Sequence, residues 1–150
     1  MISTHFLLYF KRSSAWICRR KFAAFGQGSE LRPHSFAVCT RNIWIGDDVA
    51  IHPGTMLFAD DTSEGRIHIE DSVSMGSNVH IYVNNHRFDG DSTPIKHQGY
   101  YPSQPVVIRR GAWIGSCAVL LPGVEIGVNA VVGAGSVVTR SVPARSVAAG

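Results

Sequence analysis

Two histidines able to act as a general base lie in one irregular stretch of the sequence. His86 and His97 both fall within residues 86–105, together with Asp89 and Asp91. Imidazole changes protonation near neutral pH, so a histidine held beside a hydroxyl group can take its proton. Three other histidines fall at regular repeat positions, and we interpret them as structural or exposed: His52, His68 and His80. His5 and His34 lie in the N-terminal part.

The elements that position these side chains follow a repeat of six residues, clearest between Ile108 and Pro143. A helix would need a period of 3.6 and a strand a period of two, so neither explains it. A period of six held over about 36 residues indicates a parallel β-helix. The first position of each hexad is aliphatic and the fifth is small or valine: Ile108, Ile114, Leu120, Ile126, Val132 and Val138, then Ala112, Ala118, Val124, Ala130, Ser136 and Val142.

Each hexad is expected to form one short strand and one turn. The first residue points into a narrow prism, and the fifth lies near a corner where a large side chain does not fit. Three hexads close one coil, and coils stack at about 4.7–4.9 Å. Ordinary strands in a β-rich domain are the alternative, which so long a register disfavours.

The same register is predicted upstream, with two interruptions. Its first positions run Cys39, Ile45, Ile51, Leu57, Ser63, Ile69, Met75 and Ile81. The polar lapses at Asp61 and Ser63 predict a bulged corner over residues 59–65 that keeps the count. From Ile81 to Ile108 the spacing is 27 residues, which is not a multiple of six, so residues 86–105 are predicted to loop out. A loop of this length on a rigid scaffold usually carries function.

Composition and charge favour one folded domain in a reducing compartment. The chain has 150 residues, is 45% hydrophobic and carries a net charge of +3. Residues 1–32 hold six basic and one acidic residue, a net +5, whereas the remainder is −2. The body is therefore not expected to bind nucleic acid. Cys18, Cys39 and Cys117 have no zinc-binding or paired spacing, which favours the cytoplasm.

The N-terminal residues 1–25 are predicted to be a separate helical and basic segment, and residues 26–150 the β-helix domain. The apolar run at Phe6–Phe10 is too short for a secretion signal. We favour a helix that caps the open end of the β-helix. A basic amphipathic helix in weak contact with an anionic membrane surface is the second interpretation, and would place the protein at the inner face of the membrane.

Several motifs in residues 26–150 resemble the hexapeptide-repeat acyltransferases. They are Asn85-His86, Trp113-Ile114-Gly115, Leu121-Pro122-Gly123-Val124, Ile126-Gly127, residues 132–139, Val142-Pro143 and residues 147–150. Within that superfamily they are similar to the maltose/galactoside O-acetyltransferases and to acetyltransferases of exopolysaccharide synthesis. The resemblance implies an all-β, left-handed β-helix that forms homotrimers, with active sites between neighbouring subunits. It also implies acetyl transfer from acetyl-CoA to a hydroxyl of a saccharide or polysaccharide precursor.

The resemblance also assigns residues near the acceptor. His86, at the root of the loop, matches the catalytic base, and His97 is the second candidate. From its place in the loop, Asn85 is expected to orient His86 or contact the acceptor, with a plain turn residue as the alternative. Asp89 and Asp91 are expected to bind sugar hydroxyls, with simple solvation in the loop as the alternative. Trp113 is expected to face outward and to form a wall of the acceptor or pantetheine groove.

The donor is assigned by the resemblance to the later repeats. Gly115 would shape the approach of CoA, and the backbones of Ser116 and Ala134 would hold its arm. Thr139 and Arg140 match a Thr-Lys pair that meets the CoA phosphates. Family members continue past the Ala-Ala-Gly at residues 148–150, where this sequence ends, so part of the nucleotide-binding surface is expected to be missing and the affinity for CoA to be lower. The N-terminal acceptor-binding segment of the maltose/galactoside branch is not found, which favours a glycan or saccharide-precursor acceptor over a simple disaccharide.

Two rival functions use the same scaffold. A metal enzyme of the γ-carbonic anhydrase type needs two histidines with four residues between them, and no pair of histidines here has that spacing. No metal is therefore predicted. A non-catalytic left-handed β-helix subunit used for assembly remains the alternative function.

Overall fold

Short parallel strands wind into a three-sided prism in a computed structural model that describes residues 10–90 and 92–150. One helix, α1 (Lys11–Lys21), precedes the strands. The strands are β1 (Ala24–Phe25), β2 (Glu30–Leu31), β3 (Phe36–Val38), β4 (Ile43–Ile45), β5 (Ala50–Ile51), β6 (Met56–Phe58), β7 (Ile67–Ile69), β8 (Ser74–Met75), β9 (His80–Tyr82), β10 (Val106–Ile108), β11 (Trp113–Ile114), β12 (Val119–Leu120), β13 (Glu125–Ile126), β14 (Val131–Val132), β15 (Val137–Val138) and β16 (Val147–Ala148).

Each side of the prism is one parallel sheet. Face A contains β1, β4, β7, β10 and β13; face B contains β2, β5, β8, β11, β14 and β16; face C contains β3, β6, β9, β12 and β15. Three successive strands make one coil, and in the later coils residues 18 apart stack directly. The pairs are Ile108 with Ile126, Ile114 with Val132, and Leu120 with Val138. The predicted hexapeptide β-helix, with an N-terminal helix and one extruded loop, is confirmed.

The core is a stack of aliphatic side chains along the prism axis. The predicted first positions from Ile45 to Val138 are buried, apart from Ser63. Fifth positions such as Ala112, Ala118 and Ala130 are also buried, close to the corners. Burying each of these Ile or Leu side chains contributes roughly 1.5–3 kcal/mol, so repetition of a simple pattern stabilises the whole prism.

Two details of the predicted register are wrong. Cys39 is not a core position: it is exposed, with φ 49°, and opens a short 3₁₀ turn (Thr40–Asn42), while Ala37 pairs with Leu57 in its place. Ser63 is not a core position either. Face C strand β6 is followed directly by face A strand β7, so one whole hexad is extruded as a bulge.

Helix α1 packs against the first coil. Ile17, Cys18 and Phe22 are buried, and Cys18 and Phe22 join the prism core. Trp16 and Arg20 face outward, with the guanidinium 4.3 Å from the indole centroid. This packing agrees with the capping interpretation, whereas the division of the chain at residue 25 stays a prediction. Residues 1–9 of that segment lie outside the described residues, within which no helix is long and apolar enough to span a bilayer.

Candidate active site

Three departures from the six-residue repeat occur at one edge of the prism, between face C and face A. Residues 39–42 follow β3, residues 59–66 follow β6, and residues 83–105 follow β9. Because coils stack, these insertions lie one above another. We call this edge the insertion corner.

Hydrogen bonds join the three insertions. The side-chain amide of Asn42 donates to the carbonyl oxygens of Asp60, at 2.6 Å, and Thr62, at 3.0 Å. The Asp60 carboxylate accepts from the N–H of Thr62 at 2.9 Å, its hydroxyl at 2.6 Å, the amide of Asn84 at 2.8 Å and the hydroxyl of Ser103. Burial raises the pKa of Asp60, but the hydrogen bonds from Ser103, Thr62 and Asn84 outweigh it and hold this pKa below its usual range.

The base of the loop is a short ladder of backbone hydrogen bonds. The N–H of Gln104 donates to the carbonyl of Val83, at 2.7 Å, and the N–H of Tyr101 to that of Asn85, at 2.9 Å. The N–H of Arg87 donates to the carbonyl of Gly99, at 3.0 Å. Further out, the Gln98 side chain binds the backbone of Gly90. The loop therefore has a defined root.

His86 lies on this ladder and faces solvent. It forms an antiparallel bridge with Tyr100, and the two rings stack with centroids 4.2 Å apart and planes at 29°. Its side chain is exposed, and neither ring nitrogen hydrogen-bonds to a described residue. The imidazole thus has a fixed backbone, one supported face and free nitrogen atoms, which suits proton transfer to or from a bound substrate. His97 lies further out, in a 3₁₀ turn (Ile95–His97).

The residues predicted to help His86 are close to it in the sequence. Asn85 is exposed, and only its backbone carbonyl takes part in the ladder. Asp89 is paired with Arg87 at 3.2 Å, and hydrogen bonding from this guanidinium holds the pKa of Asp89 below its usual range. Asp89 is therefore a carboxylate acceptor in solvent. Asp91 lies outside the described residues.

The edge between face B and face C, which we call the donor corner, presents unused backbone N–H groups. The corresponding turn positions, from the first coil upward, are Pro33, Pro53, Ser77, Ser116 and Ala134. The two prolines have no N–H. The N–H groups of Ser77, Ser116 and Ala134 donate to no other described residue. Donors in a row beside small side chains suit an extended ligand that carries amide carbonyls.

Glycine makes this corner narrow. A Cβ atom at Gly76 would lie 2.6 Å from the nitrogen of Ser116, and one at Gly115 would lie 2.5 Å from the nitrogen of Ala134. The N–H of Gly135 donates to the carbonyl of Ser116 at 2.8 Å. Gly115, Ser116 and Ala134 are therefore brought together, as three contiguous parts of one edge.

The other predicted residues lie elsewhere on the prism. Trp113 stands on the outside of face B with 56% of its surface exposed, paired with Ser74 and Val131. Thr139 and Arg140 are exposed in the turn after β15, above the insertion corner, and line a cavity of about 270 Å³ that reaches Gly150. Within one chain, His86 and the donor corner thus occupy different edges. Over the described residues, no group of three or more His, Cys, Asp or Glu is placed to hold a metal ion.

Comparison with known proteins identifies the repeat. The family model described as bacterial transferase hexapeptide (six repeats) matches residues 105–140. A galactoside O-acetyltransferase of Escherichia coli (strain K12) is 34% identical over 144 residues, which cover 93% of this chain and 64% of the relative. The chain is therefore similar to the hexapeptide-repeat acyltransferases, and its six-residue repeat matches a family model of these transferases. It spans slightly under two thirds of that relative's length.

Solved structures of the superfamily share the left-handed β-helix. A hexapeptide-repeat acetyltransferase of Vibrio cholerae O1 biovar eltor, complexed with acetyl-CoA, superposes with a TM-score of 0.84 at 26% identity, over 99% of this chain and 79% of that one. A galactoside acetyltransferase in complex with CoA superposes with a TM-score of 0.83 at 28% identity, over 99% and 73%. The resemblance drawn from the motifs is confirmed.

Sequence reasoning missed the polar cluster at the root of the loop and the ring beneath His86. Asn84 lies 24 residues after Asp60, and Ser103 lies 43 residues after Asp60. No short sequence motif therefore contains all three residues. The sequence contains two polar interruptions, residues 59–66 and 83–105, and both follow a strand of face C. This relationship was not visible in the predicted register, because that register counted Ser63 as a core position.

Proposed function

We propose that this protein is a hexapeptide-repeat acyltransferase that transfers an acetyl group from acetyl-CoA to a hydroxyl of a saccharide or polysaccharide precursor, with His86 as general base. The observation that carries this proposal is a solvent-facing histidine at the root of an extruded loop, whose ring nitrogens hydrogen-bond to none of the described residues. The relatives' names support the reaction and the class of acceptor, and two of the similar structures are complexes with acetyl-CoA or CoA.

The reaction requires one proton to move twice. His86 takes the proton of the acceptor hydroxyl while the hydroxyl oxygen attacks the carbonyl carbon of the thioester. The tetrahedral intermediate then collapses, the carbon–sulfur bond breaks, and the proton held by His86 goes to the CoA sulfur. Asn85 and Asp89 are suited to bind acceptor hydroxyls, because both are exposed and lie within three residues of His86 along the chain.

The donor corner is suited to the pantetheine arm of CoA. That arm carries amide carbonyl groups, and the N–H groups of Ser116 and Ala134 are unused. Gly115 keeps the edge narrow, and Trp113 offers an aromatic wall on the adjoining face. Thr139 offers a hydroxyl group and Arg140 a cation to the phosphates of CoA. A guanidinium can bind a phosphate through two parallel hydrogen bonds.

In a single chain His86 and the donor corner lie at different edges of the prism, so one chain does not form a complete site. We therefore propose a homotrimer. Face C has the most continuous apolar outer surface, with a stacked pair, Phe58 and Tyr82, whose centroids are 4.9 Å apart. Its other outward side chains are Phe36, Val38, Met56, His80, Val119 and Val137. Covering such a surface favours association with a second copy.

Three copies that turn face C toward a common three-fold axis complete the site. Face C is bounded by the insertion corner on one side and the donor corner on the other. A closed ring therefore brings the insertion corner of each subunit to the donor corner of the next. This arrangement yields three equivalent sites, each with one His86 and one set of free N–H groups.

The three cysteines are free thiols, which suits a cytoplasmic protein. The outer side of α1, with Trp16, Arg19 and Arg20 exposed, suits a weak contact with the inner face of an anionic membrane.

Substitution of the two loop histidines tests the chemistry. Release of the CoA thiol is followed with acetyl-CoA and a panel of saccharide acceptors. His86→Ala is expected to lower kcat by about 10²–10⁴-fold, the usual contribution of a general base. His97→Ala, an exposed histidine in the same loop, is the matched control and should retain turnover. Near-normal turnover of a trimeric His86→Ala variant would refute the role of His86.

A further inference from the structure

Asp60 is the one carboxylate of the described residues that binds both ends of the extruded loop. It lies in the bulge of residues 59–66, one coil below the loop. It is not among the binding residues predicted from the sequence. Its Oδ2 atom accepts from Asn84, two residues before His86, and from Ser103, two residues before the loop ends. Asn84 and Ser103 also contact each other at 3.3 Å. One oxygen atom thus closes the loop.

The second oxygen of Asp60 fixes the carboxylate itself. Oδ1 accepts from the backbone N–H of Thr62 at 2.9 Å and from its hydroxyl at 2.6 Å. Asn42, from the coil below, holds the same bulge through the Asp60 and Thr62 carbonyls. Donors face both oxygens, so an asparagine would turn its NH₂ group toward one of these pairs. A carboxylate is the side chain of this length that satisfies all four donors.

Gly65 provides an independent way to displace this carboxylate. A Cβ atom added there would overlap Oδ1 of Asp60 and lie 3.1 Å from its carbonyl oxygen. Gly65 has no positive φ angle, so alanine fits its backbone conformation. Gly65→Ala therefore moves the Asp60 side chain without removing any hydrogen-bonding group.

We propose that Asp60 is a positioning residue that clamps Asn84 and Ser103 together and so fixes the place of His86. The backbone ladder from Val83 to Gln104 begins at this clamp and carries His86 on its next rungs. Loss of the clamp lets the two ends of the loop separate, and His86 moves with them. The clamp follows from the hydrogen bonds alone, whereas its effect on catalysis rests on the proposed function.

Amide hydrogen exchange tests the clamp without any assay of activity. Asp60→Ala, Asp60→Asn and Gly65→Ala are expected to lose protection at the N–H groups of Arg87, Tyr101 and Gln104. Protection at β11 and β14 should stay as in the wild type. Asp61→Asn, an exposed carboxylate in the same bulge, is the matched control. Unchanged protection in both Asp60 variants would overturn the clamp.

Kinetics tests the consequence for His86. In folded trimers of the same variants, kcat is expected to fall by on the order of 10²-fold, since a misplacement of about 1 Å can have that effect. The KM for acetyl-CoA should not change, because the donor corner is untouched. Gly65→Ala should add little in the Asp60→Ala background, since the carboxylate that it strikes is gone and only the contact of 3.1 Å with the carbonyl oxygen remains. A rise in the KM for acetyl-CoA at constant kcat would overturn the positioning role.

The two measurements separate two kinds of failure. If wild-type protein transfers no acetyl group but the exchange responds as expected, the proposed function fails and the clamp stands. If wild-type protein is active and Asp60→Ala matches it in kcat, the positioning role fails and the proposed function stands.

Discussion

A Cβ atom added to Gly115 would lie 2.5 Å from the backbone nitrogen of Ala134, one coil above. Real Cβ atoms do not approach backbone this closely, so the donor corner depends on glycine at this position. The N–H groups of Ser116 and Ala134, which donate to no other described residue, follow one another along this edge. Stability and the proposed CoA site therefore share one requirement.

Gly115→Ala is expected to destabilise the protein. Overpacking of this kind usually costs about 1–3 kcal/mol, because backbone rather than a flexible side chain must move. Gly133→Ala is the matched control, since its added Cβ would lie 3.1 Å from the Ala149 side chain near the end of the prism. Thermal unfolding should show a lower Tm for Gly115→Ala and a near-normal Tm for Gly133→Ala. Equal Tm values would show that the coils tolerate the added atom.

Trp113→Ala is expected to weaken ligand binding without unfolding the prism. Its side chain is 56% exposed on face B, so packing loses little, whereas an aromatic wall contributes about 0.5–1.5 kcal/mol. Calorimetry with acetyl-CoA and saccharide acceptors should show a few-fold to roughly tenfold weaker binding. Trp16→Ala, at 55% exposure on α1, is the control and should bind normally. Loss of the trimer in Trp113→Ala would instead place this side chain in packing.

Phe36→Asp is expected to break the proposed trimer. Phe36 is 54% exposed on face C, which turns inward in that assembly, and a carboxylate buried there would be unpaired. Light scattering coupled to size exclusion should show a smaller particle, together with loss of acetyl transfer. Phe10→Asp carries the same change at a phenylalanine with the same exposure, before α1, and should leave the trimer intact. A trimeric Phe36→Asp variant would exclude face C from the interface.

An ion-pair network across three coils is expected to make a contribution to the free energy of unfolding that is lost in acid. The Arg109 guanidinium binds Glu70 at 2.8 Å and Glu125 at 2.9 Å. Burial raises the pKa of Glu70, but the hydrogen bonds from Arg109 and from the N–H of Arg110 outweigh the effect of burial and lower this pKa. Hydrogen bonding to Arg109 lowers the pKa of Glu125. Both pKa values lie below the ordinary value of 4.5. The stabilisation is therefore present above pH 4.5 and is lost as pH falls through the lowered values.

Arg109→Met should remove this contribution. Its Tm should lie below that of the wild type at pH 7, and the two curves should converge as the pH falls below 4. Arg110→Met keeps the backbone bond to Glu70 and should follow the wild-type curve. Parallel curves for Arg109→Met and wild type would show that the network contributes no pH-dependent stability.

The repeat could be predicted because one physical constraint recurs at every coil. A narrow prism admits only aliphatic side chains at positions such as Ile114 and Leu120, and only small ones such as Ala118 near its corners. The loop was also found from spacing, and its predicted bounds, 86–105, differ by three residues at one end from the insertion of residues 83–105. The hand of the helix came from the resemblance alone.

The polar clamp could not be predicted in this way. Asp60, Asn84 and Ser103 meet because one hexad is extruded after β6, which places both insertions at the same edge. The predicted register counts the hexad around Ser63 as one strand of a coil. This count shifts the strands that follow the bulge, such as β7, to the wrong face of the prism. Hydrogen bonds inside a polar bulge have no periodic signal, so only the folded chain reveals them. The roles of His86, Asn85 and Asp89 stay predictions that the substitutions above examine.

Calorimetric titration of the purified trimer with acetyl-CoA tests the central claim most directly. The proposed site predicts saturable binding at about one site per subunit, and weaker binding when Ser116→Pro removes one N–H group of the donor corner. Absence of any binding at millimolar acetyl-CoA would contradict the acetyltransferase assignment, and would favour a non-catalytic β-helix subunit used for assembly.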